Sequence, residues 1–545
     1  MTILFSPSGD MSESLSSASA IRDRLSKVTT RIDELKNIAG AAGVSVGVIS
    51  YGHTVLDYHT GYADIDRGIV ADSNTRYTIG SLTKAFVAAT LAEFIDDKKT
   101  LSSWDDSVVD VVNELALAVP DNHISLIDML AHRTGLSRID PLWLGAEGQT
   151  LVDKEDTIKL CNHLRPICPV RSKWLYNNWM YGLAGELIER LDPDHRPWGE
   201  VVAERVLKPL GLNHTTVCAT DLQGVSQAQP YVIRADKTPL LVKHMPPLQD
   251  GVLAAAGGIR STTADLLQWG RFLMSQINEA ASKSSGAEPT INMMFTSHSF
   301  ISSSSTGCEL YGLGWAKVTT PAQFGKIGFN PAFVKAMPEI GTTTGRNQHV
   351  FYHNGAITGY NNCIMLLPQT QTAIVVLTNS MAQGDIADWI AQAVLQAVLG
   401  EEDLVDLVSY AEESALVWRS QYQTIKDALE ADRKPDTETP PSAALVGKYW
   451  HTTHALFLDV FEDEGELRFS FGGKPDQVHT LTHYANDTFC FLPASDNERI
   501  RRGLFHYATP AWLLEFKKDS TGRYTEVLWN IESDAPGPES FVRET

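Results

Sequence analysis

Ser81 and Lys84 stand three residues apart in the segment RYTIGSLTKAFVAATLAEFI. A serine hydroxyl is a weak nucleophile at neutral pH until a nearby base takes its proton. A lysine amine can be that base when desolvation lowers its pKa. The spacing puts both side chains on one helix face, one turn apart. Ala85, Phe86, Ala88, Ala89 and Leu91 make the helix apolar and therefore buried. A helix starting near Ser81, behind Gly80, also leaves the Ser81 backbone N–H without an intrahelical acceptor, free to bind an oxyanion. Taken alone, the pair is also what an N-cap serine and a surface lysine would look like.

Two further segments add weight. KWLYNNWMYGLAGELIERL sets Tyr176, Asn177 and Asn178 just before an amphipathic helix. Tyr176 can relay a proton, and Asn178 can bind both Lys84 and a substrate carbonyl or amide. VFYHNGAITGYNN places His353, Asn354 and Gly355 before a hairpin. Gly355 would let a substrate approach the strand edge, and the Ala356 N–H would be a second oxyanion donor. The plainer alternatives are a turn asparagine beside a core tyrosine, and a histidine with no special role. His132 and Arg133 are expected to brace a turn beside the site. Trp174, Trp179, Trp269 and Trp315 read mainly as core, with room for one or two in an apolar pocket.

The elements that must hold these residues are legible from periodicity. Ile21, Leu25, Val28, Ile32 and Leu35 mark one apolar helix face. Val44, Val46 and Val48 alternate with small residues, Tyr51-Gly52 supplies a turn, and Thr54 to Tyr58 can return as a strand. Late in the chain, Asn362 to Leu367 and Thr372 to Thr378 read as strands. A helix follows with Ile386, Trp389, Ile390, Ala393, Val394 and Ala397 on one side. These parts predict one antiparallel sheet built from both ends of a domain, with the first and last helices packed on it. A mostly helical insertion then covers about 80–300. SFISSSSTG (299–307) reads as surface loop and EADRKPDTETPPSAA (430–444) as a charged, Pro-rich linker. Beyond it, short alternating β segments at regular spacing predict a small barrel or sandwich.

In order, SxxK, YxN and HxG resemble the motifs of the serine β-lactamase and penicillin-binding-protein superfamily. LIDMLAHRTGLSRID (126–140), AAAGGIRSTTADLLQWGRFL (254–273) and YGLGWA (311–316) strengthen the likeness, which covers roughly 20–400. The chain is most similar to the class C, D-alanyl-D-alanine carboxypeptidase and esterase branch, and within it to fungal β-lactamase-related proteins that often sit with natural-product pathways. The resemblance implies an α+β fold: a β-lactamase-like antiparallel sheet flanked by helices with a helical insertion, then a C-terminal antiparallel β-barrel. It divides the chain into a flexible leader (1–15), a catalytic domain (16–425), a linker (426–444) and a lipocalin-like barrel (445–545).

Carried over residue by residue, it implies Ser81 as nucleophile, Lys84 as its base and Tyr176 as a partner in proton transfer. Asn178, His353, Gly355 and Ala356 are implied in substrate and oxyanion binding. His353 replaces the lysine of true β-lactamases and is expected to face the leaving-group side. A mostly neutral imidazole there would not hold a β-lactam carboxylate as an ammonium does. Asn177 stands where Ser or Ala is commoner. The implied activity is a serine hydrolase of an ester, lactone or amide through a Ser81 acyl-enzyme. The alternatives are an acyltransferase that passes the acyl group to an alcohol, resembling the enzyme of statin assembly, and a non-catalytic scaffold. Intact Ser81, Lys84, Tyr176 and Asn178 argue against the scaffold.

Composition narrows the partners. Of the 545 residues 43% are hydrophobic and 20% charged, as in a globular protein. A net charge of −21 repels phosphate backbones and anionic membranes, so no nucleic-acid partner is expected. No run of about 18 apolar residues predicts a membrane-spanning helix. The N-terminus lacks the basic start and apolar core of a secretory signal. Six cysteines without a CxxC pair fit a reducing cytosol, with Cys161–Cys168 the one bridge left open by spacing. No HExxH, paired Cys/His ligand set or P-loop calls for a metal or cofactor. The expected partner is a small-molecule acyl substrate.

Overall fold

The structure, a computed structural model, describes residues 11–217, 226–243, 251–282, 289–303, 307–345, 347–402, 404–505 and 507–545. Nine strands form its central sheet: β1 (Gly43–Ser50), β2 (His53–Asp64), β3 (Ile69–Val70), β4 (Ser299–Ser303), β5 (Cys308–Tyr311), β6 (Ala316–Thr319), β7 (His349–Ile357), β8 (Tyr360–Leu367) and β9 (Thr372–Thr378). Their spatial order is β3-β2-β1-β9-β8-β7-β6-β5-β4. β1 pairs antiparallel with β9, Val46 opposite Val376, so the early and late hairpins meet at the middle of one sheet. Tyr51 and Gly52, at φ 48° and 79°, form the two-residue turn between β1 and β2.

The helices that position the site are α1 (Met11–Ala39), α2 (Thr83–Asp97), α3 (Asn178–Leu191), α4 (Thr263–Ser282), α5 (Ile386–Leu399) and α6 (Leu407–Asp432). Side chains of β9 alternate between two cores. Ile374 and Val376 pack with α1 and α5, while Ala373, Val375 and Leu377 pack toward α4. Helices therefore cover both faces, and every β9 residue is buried.

Two local expectations change. Helix α1 begins at Met11, inside the stretch read as leader, and residues 1–10 lie outside the described residues. Most of SFISSSSTG is not loop: Ser299–Ser303 is the edge strand β4, with Ser299 opposite Tyr311 of β5. A serine run has no alternation to advertise a strand; backbone pairing to a neighbour makes it one.

The C-terminal unit is a second nine-stranded sheet: β10 (Gly447–His451), β11 (Phe457–Asp463), β12 (Glu466–Phe471), β13 (Val478–Thr480), β14 (Thr482–Ala485), β15 (Thr488–Cys490), β16 (Leu513–Lys518), β17 (Tyr524–Trp529) and β18 (Glu539–Arg543). Its order is β13-β12-β11-β10-β18-β17-β16-β15-β14. Only Leu481 separates the edge strands β13 and β14, so the sheet curls back on itself into a nearly closed barrel. Phe469, Phe471, Phe491, Trp512 and Trp529 fill it, with Phe469 and Phe471 edge to face at 5.1 Å and 82°.

Helix α6 continues to Asp432, through the first residues of the stretch read as linker, and the barrel is bound on both sides of it. The Tyr484 hydroxyl donates to the Leu429 carbonyl at 2.8 Å. Arg138 pairs with Glu532 at 2.6 Å and Arg165 with Glu539 at 2.5 Å. Gln477 closes both hydrogen bonds of the Ala146 backbone, at 2.8 and 3.0 Å. Leu142 and Ala146 belong to one apolar cluster with Leu445 and Tyr449. Among the described residues no helix is long and apolar enough to cross a membrane. Cys161 and Cys168 are free thiols, as are Cys308, Cys363 and Cys490; Cys218 lies outside the described residues.

Candidate active site

Ser81 does not start an α-helix. Gly80–Leu82 is a single 3-10 turn, and α2 proper begins at Thr83. Ser81 in the turn and Lys84 in the first turn of α2, three residues apart, bring their side chains to within 3.0 Å. Two glycines let this turn dock on strand β7. Gly80 has φ +55°, and a Cβ there would stand 2.7 Å from the Ala356 nitrogen. A Cβ on Gly355 would stand 2.1 Å from the Ile79 carbonyl oxygen. The space at Gly355 thus admits the chain's own turn, not the substrate as the sequence suggested. Asn362 Nδ2 ties the same parts together, donating to Thr78 O at 3.0 Å and Gly355 O at 3.4 Å. Ser81 and Ala356 consequently line one cavity, where their backbone N–H groups can receive an oxyanion.

Lys84 is fully buried. Its Nζ lies 3.0 Å from Ser81 Oγ, 3.0 Å from Asn178 Oδ1 and 2.9 Å from the Ala256 carbonyl oxygen. Burial lowers its pKa to about 7, and the charge of Asp140 offsets only part of that. A neutral amine has two N–H groups and one lone pair. Asn178 Oδ1 and Ala256 O can only accept, so the lone pair is left for the Ser81 hydroxyl proton. Asn178 is oriented for this by its Nδ2, which faces Asp140 Oδ1 at 3.4 Å.

Tyr176 hydrogen-bonds Ser81, and burial raises its pKa well above the ordinary phenol value, so it is a neutral phenol. Its ring lies under the Lys84 ammonium position, 4.8 Å from Nζ to centroid. The loop carrying it is fixed from both sides. Asn177 caps α3 by accepting from Trp179 N at 3.0 Å and donates to Ser137 O at 2.9 Å. The Asn177 N–H donates to His132 Nδ1 at 3.1 Å, and the His132 ring lies tilted against Tyr176 with centroids 4.3 Å apart. Arg133 and Arg171 each bond Asp128 at 2.7 Å, holding that carboxyl near pKa 2 against the cost of its burial. The bracing expected of His132 and Arg133 is therefore visible contact by contact.

His353 sits elsewhere than expected. Strand alternation puts its side chain opposite to those of Asn354 and Ala356, which line the cavity. His353 is buried beneath the turn instead, near Leu82, Ala85 and Phe86. Its Nδ1 lies 2.6 Å from the Asn354 carbonyl and must donate there; Nε2 then accepts from the Tyr311 hydroxyl at 2.9 Å. Burial, then the Lys84 charge, lowers its pKa to about 3. It is neutral, lies behind Tyr176 with ring centroids 6.2 Å apart, and is not among the residues that line the cavity beside Ser81.

Comparison with known proteins bears on this arrangement. The family described as Beta-lactamase matches residues 28–397, and a Domain of unknown function (DUF3471) matches residues 431–540. The chain belongs to the Beta-lactamase family. It is 23% identical over 454 residues to Unguisins hydrolase ungD' of Aspergillus campestris, covering 78% of this chain and 76% of that protein. It is 22% identical over 349 residues to Protein flp of Staphylococcus aureus, covering 62% and 59%. In fold it is similar to the octameric penicillin-binding protein homologue from Pyrococcus abyssi, with a TM-score of 0.56 at 18% identity, over 95% of this chain and 99% of that one.

In this Beta-lactamase-family chain the cavity beside Ser81 has a volume of about 490 Å³. Several of its lining residues had no signal in the sequence. Asp140 lies within the segment that carried the family likeness, but only the fold brings it to Asn178. It is half-buried on the cavity wall; desolvation raises its pKa, and it accepts from Trp143 Nε1 at 3.0 Å. Ile139 before it is held at φ 39°, an unusual conformation for a β-branched residue. Asp385 caps α5 and reaches the cavity; burial and the adjacent Asp388 charge push its carboxyl upward. Trp179, Trp269 and Trp315 are core, whereas Trp143 and Trp418 line the cavity. Among the described residues lining it none is Lys or Arg.

Among the described residues, His163, His451 and Glu539 form a cluster that could hold a cation, their ligand atoms lying within 4.8 Å of one another. The atoms are already engaged. Both imidazole Nε2 atoms bond Glu539 Oε2, at 2.7 and 3.0 Å, and Arg165 occupies Oε1. The cluster joins the helical region to the barrel.

Proposed function

We propose that the chain is a serine hydrolase that cleaves a neutral ester, lactone or amide through a Ser81 acyl-enzyme. The observation that carries this reading is the buried Lys84 amine, whose lone pair is left for the Ser81 proton. As Ser81 Oγ attacks the carbonyl carbon, Lys84 takes the proton. The Ser81 and Ala356 N–H groups hold the oxyanion, and the Tyr176 phenol passes a proton to the leaving group. Water then attacks the acyl carbonyl, gives a proton to the same relay, and Ser81 leaves with its hydroxyl restored. Asn178 fixes Lys84 and contacts the substrate. The similarity to a protein named Unguisins hydrolase supports hydrolysis and a place in natural-product metabolism.

Carboxylated substrates such as penicillins fit poorly. The described lining offers no Lys or Arg, and Lys84 spends its N–H groups on Asn178 and Ala256. The apolar part of the wall, Leu253, Phe329 and Trp418 among it, would hold an alcohol acceptor better than water, which supports transfer to an alcohol as the second reading.

Intact-mass measurement after incubation with activated esters, with and without an alcohol, separates these outcomes. An acyl adduct on the native chain and none on Ser81→Ala is expected. A fluorophosphonate probe that labels Ser81→Ala as well as the native protein would remove the assignment.

A further inference from the structure

Part of the cavity wall comes from outside residues 28–397, the segment matched to the Beta-lactamase family. Trp418 and Gln421 reach it from α6, and Gly503 and Phe505 reach it from the segment between β15 and β16. Trp418 and Phe505 stack with ring centroids 5.4 Å apart at 26°. Phe333 meets Trp418 edge-on at 5.8 Å and 82°. Val232, Met381 and Ile500 pack into the same apolar cluster, so residues from both units form one small core at the edge of the cavity.

This wall is held in place. The Arg499 guanidinium lies 5.3 Å from the Phe505 ring centroid and is fixed by Asp496 at 2.7 and 2.9 Å. Gly503, at φ +67°, comes so close to Thr358 that a Cβ would stand 3.2 Å from its Cγ2. Thr358 immediately follows the end of β7, the strand that carries Ala356. The C-terminal loop therefore rests against the same strand end that presents an oxyanion donor.

We propose that Trp418 and Phe505 are specificity-determining residues: they form an aromatic wall for a bulky apolar group of the substrate beside its scissile bond. The C-terminal unit is then part of the substrate site. An apolar group seated there gains from burial against two rings, while a small substituent leaves the wall unused. The proposal rests on the Ser81 hydrolase reading for its turnover assay but not for its binding assay.

The test uses the full chain and its Phe505→Ala, Phe505→Leu and Trp418→Ala variants. Two series of p-nitrophenyl and alkyl esters vary the acyl group at constant leaving group, then the leaving group at constant acyl group. In one of the series the ratio of kcat/KM for a phenyl-bearing ester over its methyl counterpart should fall about tenfold in both alanine variants, with Phe505→Leu between. Leu keeps the apolar volume, so its melting temperature separates a lost ring from a lost fold. Independently, Nile red titrated into Ser81→Ala should bind saturably, be displaced by a phenyl-bearing amide, and bind about tenfold more weakly when Phe505→Ala is added. Unchanged ratios in both series, or equal losses for large and small esters, would overturn the proposal. Absent turnover with the dye result intact would instead remove the hydrolase reading and leave the wall standing.

Discussion

An amine enclosed beside a serine must shed its charge or find an anion. Among the described residues Lys84 has Asp140 to offset its burial, at one remove through Asn178. The balance falls near neutrality, which suits a general base. His132 and His353 flank the site but are held neutral by burial, and Tyr176 and Tyr181 are pushed above the ordinary phenol value. Of the two groups bonded to Ser81, Lys84 is the one brought near pH 7, while Asp385 on the cavity wall is also pushed upward. Since only the neutral amine can take the proton, kcat/KM for a neutral ester should rise about tenfold per pH unit below 7 and level off above it. A profile flat from pH 5 to 8 would rule Lys84 out as the base. Lys84→Met and Tyr176→Phe should each lose most activity, and the double variant little more, because one relay fails once. Multiplicative losses would separate the two roles. His353→Lys should not alter substrate choice. It would bury an ammonium beside Lys84 without an anionic partner, costing about 3 kcal/mol or more of stability. A lower melting temperature with an unchanged preference between neutral and carboxylated esters is the expected result.

At the scale of elements, the site is a backbone-to-backbone contact between the 3-10 turn and β7. Gly80 and Gly355 are the price of that contact. In Gly355→Ala the new methyl would overlap the Ile79 carbonyl, which strand and turn must separate to relieve. Overpacking of this kind costs about 1–3 kcal/mol, and a displacement near 1 Å can cost about 100-fold in rate. A fall in kcat/KM far larger than the melting shift implies would locate the effect at the oxyanion donors. An unchanged rate would show that this contact does not set the geometry. The elements themselves were largely readable in advance: alternating valines in β1, the Tyr51-Gly52 turn, and the amphipathic spacing of α1 and α5 are local patterns. Their junctions were less so. Nothing local distinguishes a 3-10 start at Gly80 from an α-helical one, because the choice depends on the docking of that turn against β7.

At the scale of the whole molecule, the Pro-rich stretch after α6 suggests a clean division, yet the contacts cross it. Leu445 and Tyr449 share an apolar cluster with Leu142 and Ala146, and Glu539 is shared with His163 and Arg165. A chain ending near residue 430 would expose this apolar surface and deprive Arg165 of its Glu539 carboxylate. It should aggregate, or melt well below the full chain, in size-exclusion and thermal measurements. A monodisperse fragment with the native melting temperature would show that the barrel adds no stability.

What the sequence by itself determined is what local pattern and residue chemistry encode. Those are the Ser81–Lys84 pair, the Tyr176–Asn178 loop, the two-ended antiparallel sheet and the change to a barrel after residue 444. The tertiary structure alone decided what depends on distant approach. His353 turned inward because the face of β7 that it shares with Gly355 is covered by the turn that carries Ser81. Asp140 and Asp385 reached the cavity from segments far apart in sequence, and so did Trp418 and Phe505. Periodicity reports which face of an element is buried, but which buried faces meet is fixed only by packing among the elements.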